Sequence, residues 1–272
     1  MGKTTELYEL VNAIATLLIP IYNLLQYKEK KKILGGVSKN VIARCSEKQC
    51  HSPWTTVAFW VILETILISA AQQPLAGIFN MKLGELLNTG ANYFGFLFGA
   101  PLLVALVCIL FRIDFLAQYD LITPAYPLAL IVTKISCYVT GCCRGVAWEH
   151  GIYNPVSGLT EFPAQLLESA MALVLFLFLL RCKGKMRKGT VFPIYVMVYS
   201  ATRFFTEFFR CEPKTFLRTL KTYQVLCIAG VLVGLLEYFL VCRYNAYLQK
   251  KENTANAANV TQQNTPTENN HF

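Results

Sequence analysis

The sequence predicts an all-α, polytopic integral membrane protein of about seven transmembrane helices, and three observations carry that expectation. First, the 272 residues are 54% hydrophobic but only 15% charged, with a mean hydropathy of +0.41. A soluble domain carries roughly 25% charged residues. Second, the apolar residues gather in runs of about 20, the length a helix needs to cross hydrocarbon while pairing its own backbone polar groups. Third, the basic residues between those runs alternate in density, as they do in loops on opposite faces of a membrane.

The runs cover approximately 7–27, 54–73, 91–112, 119–141, 163–181, 190–210 and 223–243. The first is the weakest, because Glu6, Glu9, Asn12, Pro20 and Asn23 interrupt it. An interfacial helix is its alternative. The amino terminus lacks a basic n-region and a small-residue cleavage site, so no cleaved leader is expected. One set of alternate loops holds sixteen basic residues, concentrated in Lys28–Lys48 and Arg181–Lys188, and the opposite set holds six. The richer side is expected to be cytoplasmic, with the amino terminus outside and the carboxyl terminus inside. The net charge of +9 then reflects contact with anionic membrane lipids, and no nucleic-acid partner is needed to explain it.

Residues 1–251 read as one membrane domain. Residues 252–272 are rich in Asn, Thr and Gln without apolar periodicity, and are expected to form a disordered cytoplasmic tail. The external segment 142–162 contains Gly145, Gly151, Pro155 and Gly158, so a structured or mobile loop and not a helix is expected there. Among ten cysteines, Cys108, Cys137, Cys182, Cys227 and Cys242 lie in or at the ends of apolar runs and read as packing residues. Cys45, Cys50 and His51 lack a second ligand pair, so neither a metal nor another cofactor is expected.

Charges at membrane depth persist where they face a cavity or a partner. In the sixth run Tyr195, Tyr199, Arg203, Glu207 and Arg210 recur at spacings of four, four, four and three, which places them on one helical face. A structural reading is an Arg203–Glu207 pair with Arg210 reaching toward headgroups. A functional reading is a cationic clamp for an anionic headgroup, since a guanidinium binds phosphate bidentately and keeps its charge. Lys134 lies fifteen residues from the start of the fourth run and seven from its end, about 10 Å of helix rise from the nearer end, and is expected to face the same cavity. Gly141-Cys142-Cys143-Arg144-Gly145 then turns the chain at the outer interface, its glycines permitting close approach or positive φ. Gln165 and Glu168 sit at the outer end of the fifth run, where helix-end polarity is the alternative explanation. Glu64 reads as inward-facing, and Glu237 as close to the cytoplasmic boundary.

From about Gly90 to Gly234 the order of motifs resembles the prolipoprotein diacylglyceryl transferase family. The stretch Gly90-Ala-Asn-Tyr-Phe-Gly-Phe-Leu-Phe-Gly99 is similar to the family's Gly-rich third span, and Asp120 to Pro124 to its Asp-x-x-x-Pro. Lys134-Ile-Ser-Cys-Tyr-Val-Thr-Gly-Cys-Cys-Arg-Gly145 stands where the family carries Arg-x-Gly-Asn-Phe-x-Asn-Gly-Glu-x-x-Gly. Phe162-Pro-Ala-Gln-Leu-Leu-Glu168 resembles His-Pro-Ser-Gln-Leu-Tyr-Glu, and Tyr-x-x-x-Arg-Phe-x-x-Glu-Phe-x-Arg is intact from Tyr199 to Arg210. Tyr223-Gln224 looks like a Gly-Gln in the last span. The departures are Phe94 for a third-span His, Lys134 for the Arg, Cys137 for an Asn and Cys142 for a Glu.

The resemblance implies transfer of diacylglyceryl from phosphatidylglycerol to a cysteine thiol of a lipoprotein precursor, at the bacterial cytoplasmic membrane. Arg203, Tyr199 and Glu207 are then the expected catalytic residues, with Arg210, Lys134, Gly141, Arg144, Gly145, Gln165 and Glu168 binding substrate. Two alternatives stand beside it: another phospholipid headgroup or acyl transferase using Cys142 or Cys143 as nucleophile, and a non-catalytic homologue that binds lipid or lipoprotein.

Overall fold

The computed structural model describes residues 114–154, 157–182, 184–211 and 220–263, with isolated positions nearer the amino terminus. The expected second run, most of the third with Phe94, Glu64 and the Cys45–His51 group all lie outside the described residues. Five helices and one hairpin follow in order: α1 (Phe115–Ile122), α2 (Ala125–Val139), β1 (Ala147–Asn154), β2 (Leu159–Glu161), α3 (Ala164–Cys182), α4 (Val191–Thr206) and α5 (Thr222–Gln263). The expected helical class holds for these residues. Among the described residues three stretches are long and apolar enough to cross a membrane: Phe115–Val139, Ala164–Cys182 and Tyr223–Lys251.

The fourth expected span is two helices joined at Thr123-Pro124. Pro124 cannot donate a ladder hydrogen bond, and Thr123 turns its hydroxyl back onto the Tyr119 carbonyl at 2.6 Å. Asp120 gains a specific role from this bend. Its carboxylate accepts from the backbone N–H groups of Gly189 (2.5 Å) and Val191 (3.0 Å), satisfying donors that the start of α4 would otherwise leave orphaned.

α2 packs on α3, α3 on α4, and α4 most extensively on α5. Gly234 makes the last crossing possible, since a Cβ there would lie 2.6 Å from Met197 Cγ. At the α1–α2–α4 junction an aromatic core forms, with Tyr119 and Phe192 edge to face at 4.6 Å and Tyr126 and Tyr195 at 5.8 Å. Leu173, Val174, Leu177 and Phe178 on α3, and Leu232, Leu235, Leu236, Phe239 and Leu240 on α5, are exposed. In water such continuous apolar faces would be aggregation surfaces; against acyl chains they are ordinary lipid-facing helix sides.

Segment 142–162 is structured and not helical, with β1 and β2 paired antiparallel. Two sequence expectations change. The sixth span does not carry its helix to Arg210. It ends at Thr206, tightens into a 3₁₀ turn over Glu207–Phe209, and leaves Arg210 extended at φ −98°, ψ 143°. The backbone of Arg210 bridges to that of Gly145 instead, so pairing with the outer turn replaces the last helical turn. Finally, α5 continues through the expected tail as far as Gln263.

Candidate functional site

Glu168, one turn into α3, is the hub of a buried charge cluster between the C-terminal halves of α2 and α4 and the N-terminal end of α3. Its Oε1 lies 2.9 Å from Arg203 Nη1 and 3.2 Å from Arg210 Nη1, and its Oε2 lies 2.5 Å from Lys134 Nζ. A second acid, Glu207, faces the same guanidinia, with Oε2 2.7 Å from Arg203 Nη1 and 3.7 Å from Arg210 Nε. Arg203, Arg210, Glu168 and Glu207 are each 6% exposed or less. Among the described residues three cations meet two acids here, and a fourth cation, Lys221, is buried beside them. Desolvated charge of this kind is retained where it is paired or has a ligand to meet.

The local sequence explains how each group arrives. The i, i+4 spacing stacks Arg203 on Glu207 within one helix, and the 3₁₀ turn swings Arg210 back beside them. Gly145 permits its part of the arrangement: a Cβ there would fall 1.9 Å from the Phe162 carbonyl oxygen. Gly141 takes φ +70° immediately after α2, a conformation that favours glycine. Gln165 Nε2 donates to the Cys142 carbonyl at 2.7 Å, fastening the outer turn to α3. Tyr199 stacks on Tyr195 at 6.0 Å and lines a small cavity with Leu130, Glu168, Thr202, Arg203 and Thr206. That cavity opens on the cluster from the core side.

The structure therefore gathers Lys134, Gln165, Glu168, Tyr199, Arg203, Glu207, Arg210 and the two glycines of the outer turn. Arg144 is placed elsewhere. Its guanidinium pairs with Glu161 on β2 at 3.4 Å and is 42% exposed, so it braces the hairpin.

Sequence reasoning missed two contributors. Lys221 read as one more outer-loop charge, yet it is buried, and its ammonium donates to the carbonyls of Glu207 and Arg210 at 2.5 Å each. Its nearness to Gln224, whose side chain accepts from the Lys221 backbone N–H at 3.0 Å, was the available signal. Cys137 read as packing, yet its sulfur lies with those of Cys142 and Cys143, all within 4.8 Å of one another. The Cys143 thiol is pushed below the usual thiol range, first by hydrogen bonds from the Cys137 and Cys142 thiols and then by the charges of Lys134 and Arg210.

A buried, positively charged cluster with forked donors suits one chemistry best, the binding of a phosphate whose charge grows during reaction. A family model described as prolipoprotein diacylglyceryl transferase matches residues 48–240. The phosphatidylglycerol–prolipoprotein diacylglyceryl transferase of Clostridium tetani is 30% identical over 158 residues, 55% of this chain and 63% of that protein. Enzyme 2 of that name from Clostridium perfringens is 32% identical over 159 residues, 56% of this chain and 62% of that protein. The Clostridioides difficile enzyme of that name is 28% identical over 174 residues, covering 64% and 68%. The matched part of the chain thus spans less than two thirds of the first two relatives.

Proposed function

The chain belongs to the prolipoprotein diacylglyceryl transferase family, and from that premise we propose that it transfers diacylglyceryl from phosphatidylglycerol to the cysteine thiol of a lipoprotein precursor. The buried Lys134–Glu168–Arg203–Arg210 cluster is the observation that carries this reading. A phosphatidylglycerol headgroup brings one negative charge to a cluster in which cations outnumber acids among the described residues. As the thiolate displaces glycerol phosphate, the phosphate gains a second negative charge. Arg203 and Arg210 meet that charge with fixed donors in a water-poor site, where such stabilisation is strong. Glu207 holds the two guanidinia in register, and Tyr199 serves as the proton relay at the deep end.

The test is direct. Purified protein incubated with phosphatidylglycerol vesicles and a peptide carrying a lipobox cysteine is expected to yield a peptide heavier by one diacylglyceryl group in the mass spectrum. Unmodified peptide from protein that remains folded would reject the transferase reading.

The proposal includes seven spans with the amino terminus outside, which puts the charge cluster and the hairpin at the outer face. The charge asymmetry of the loops supports that orientation. A cysteine introduced at Glu149, exposed on β1, is expected to react with a membrane-impermeant maleimide added to intact cells. Cys45 is expected to react only after the membrane is opened; the reverse pattern would invert the topology.

A further inference from the structure

We propose that Cys137, Cys142 and Cys143 form a three-thiolate zinc site whose open fourth position takes the acceptor thiol. The three sulfurs come from the last turn of α2 and the turn that follows, all within 4.8 Å of one another. A zinc ion with sulfur ligands at about 2.3 Å requires sulfur separations just under about 4 Å, within the reach of small side-chain rotations. Cys137 is buried and the other two are partly exposed, so the group is closed on the protein side and open on the other.

The backbone is shaped to aim the thiols. Cys143 sits at φ +55°, the sole non-glycine residue with positive φ among the described residues, a conformation held at a cost that recurs at functional sites. The Cys142 N–H donates to the Cys137 carbonyl at 3.0 Å. The Thr140 hydroxyl donates to Cys142 Sγ at 3.6 Å, an outer contact of the kind that orients metal ligands. Three thiolates and one Zn²⁺ would carry a net single negative charge within the field of Lys134 and Arg210. All-sulfur donors favour zinc or Cu(I) over magnesium or calcium; zinc is redox-inert and keeps an open position in its reactive sites. This departs from the sequence expectation of no metal, which took Cys137 for a packing residue and did not join it to Cys142 and Cys143.

The acceptor role rests on the transferase reading; the metal site does not. A cysteine S–H entering the fourth position loses its proton to solvent, because a coordinated thiol is deprotonated outright. The zinc-bound sulfur attacks the glyceryl carbon, the carbon–sulfur bond forms, and the carbon–oxygen bond to phosphate breaks. Glycerol phosphate departs with the bonding pair. The thioether product is a weak ligand and leaves the metal. No electron changes hands, so no oxidant or reductant is needed.

The experiment uses the full chain in detergent, reduced, stripped of metal with a chelator and titrated with Co²⁺. One equivalent is expected to bring thiolate-to-cobalt charge transfer and tetrahedral ligand-field bands, both erased by Zn²⁺. Cys137→Ser, Cys142→Ser and Cys143→Ser should each lose the charge-transfer band, while the Cys182→Ser/Cys242→Ser double variant should keep it. Adding the lipobox peptide should shift the bands, and its serine analogue should not. No charge transfer in the reduced protein, or its persistence in the triple serine variant, overturns the site. Bands indifferent to the peptide thiol overturn the open position. Full transfer by the stripped protein overturns the metal's role and leaves the transferase reading standing. Absent transfer from zinc-loaded protein with an intact cobalt spectrum overturns the transferase reading and the acceptor role with it, but not the site.

Discussion

Arg203→Lys is expected to insert and accumulate normally, yet to lose at least ~10²-fold in turnover, about 2.7 kcal/mol of transition-state stabilisation. The lysine keeps the charge that Glu168 and Glu207 require but loses the fork. Arg203 Nη1 now meets Glu168 Oε1 at 2.9 Å, Glu207 Oε2 at 2.7 Å and the Thr206 hydroxyl at 3.4 Å. Its guanidinium also lies 5.6 Å from the Tyr223 ring centroid. An ammonium is a point charge that reproduces neither the plane nor the bidentate reach. Phospholipid binding should weaken far less than turnover, because charge on the leaving phosphate develops only during reaction. Turnover in the Lys variant equal to the parent would reduce Arg203 to a counter-ion.

Glu168→Gln should act first on stability. The substitution keeps size but turns one accepting oxygen into a donating amide nitrogen, and it removes the charge shared by Lys134, Arg203 and Arg210. It makes the cluster more cationic by one charge. Breaking a buried ion network by neutralising one member costs on the order of 3–5 kcal/mol, read as a lower unfolding temperature in detergent. The variant carries its own control. An anionic lipid supplies the missing negative charge, so phosphatidylglycerol micelles should restore part of the lost temperature and phosphatidylcholine micelles should not. An unfolding temperature unchanged by Glu168→Gln would show that the carboxylate is not the hub.

Both predictions turn on residues whose roles differ in how far the sequence discloses them. Arg203 and Glu207 are four apart, across the end of α4 and the first residue of the 3₁₀ turn, so their pairing follows from helical spacing before any tertiary contact. Asp120 shows the opposite case. The Asp-x-x-x-Pro spacing marks a helix boundary, but only the approach of Gly189 and Val191 reveals that the carboxylate caps a different helix.

Composition, apolar run length and the loop charges determine the membrane class by themselves, because hydrocarbon forces each spanning segment to satisfy its backbone within itself. For the same reason the stripe from Tyr195 to Glu207 was legible as one face. Glu168 read as a substrate-binding residue with helix-end polarity as its alternative, not as a hub, while Lys221 looked like a loop charge and Cys137 like packing. Each acquired its partners across separations that no helical period encodes. Where α4 stops was equally hidden. Its apolar pattern runs to Arg210, but the bridge between Gly145 and Arg210 competes with the final turn and wins. That outcome rests on a glycine that lets two backbones approach where any side chain would collide, so the cluster's geometry was decided by the fold and not by the periodicity of the helix that carries it.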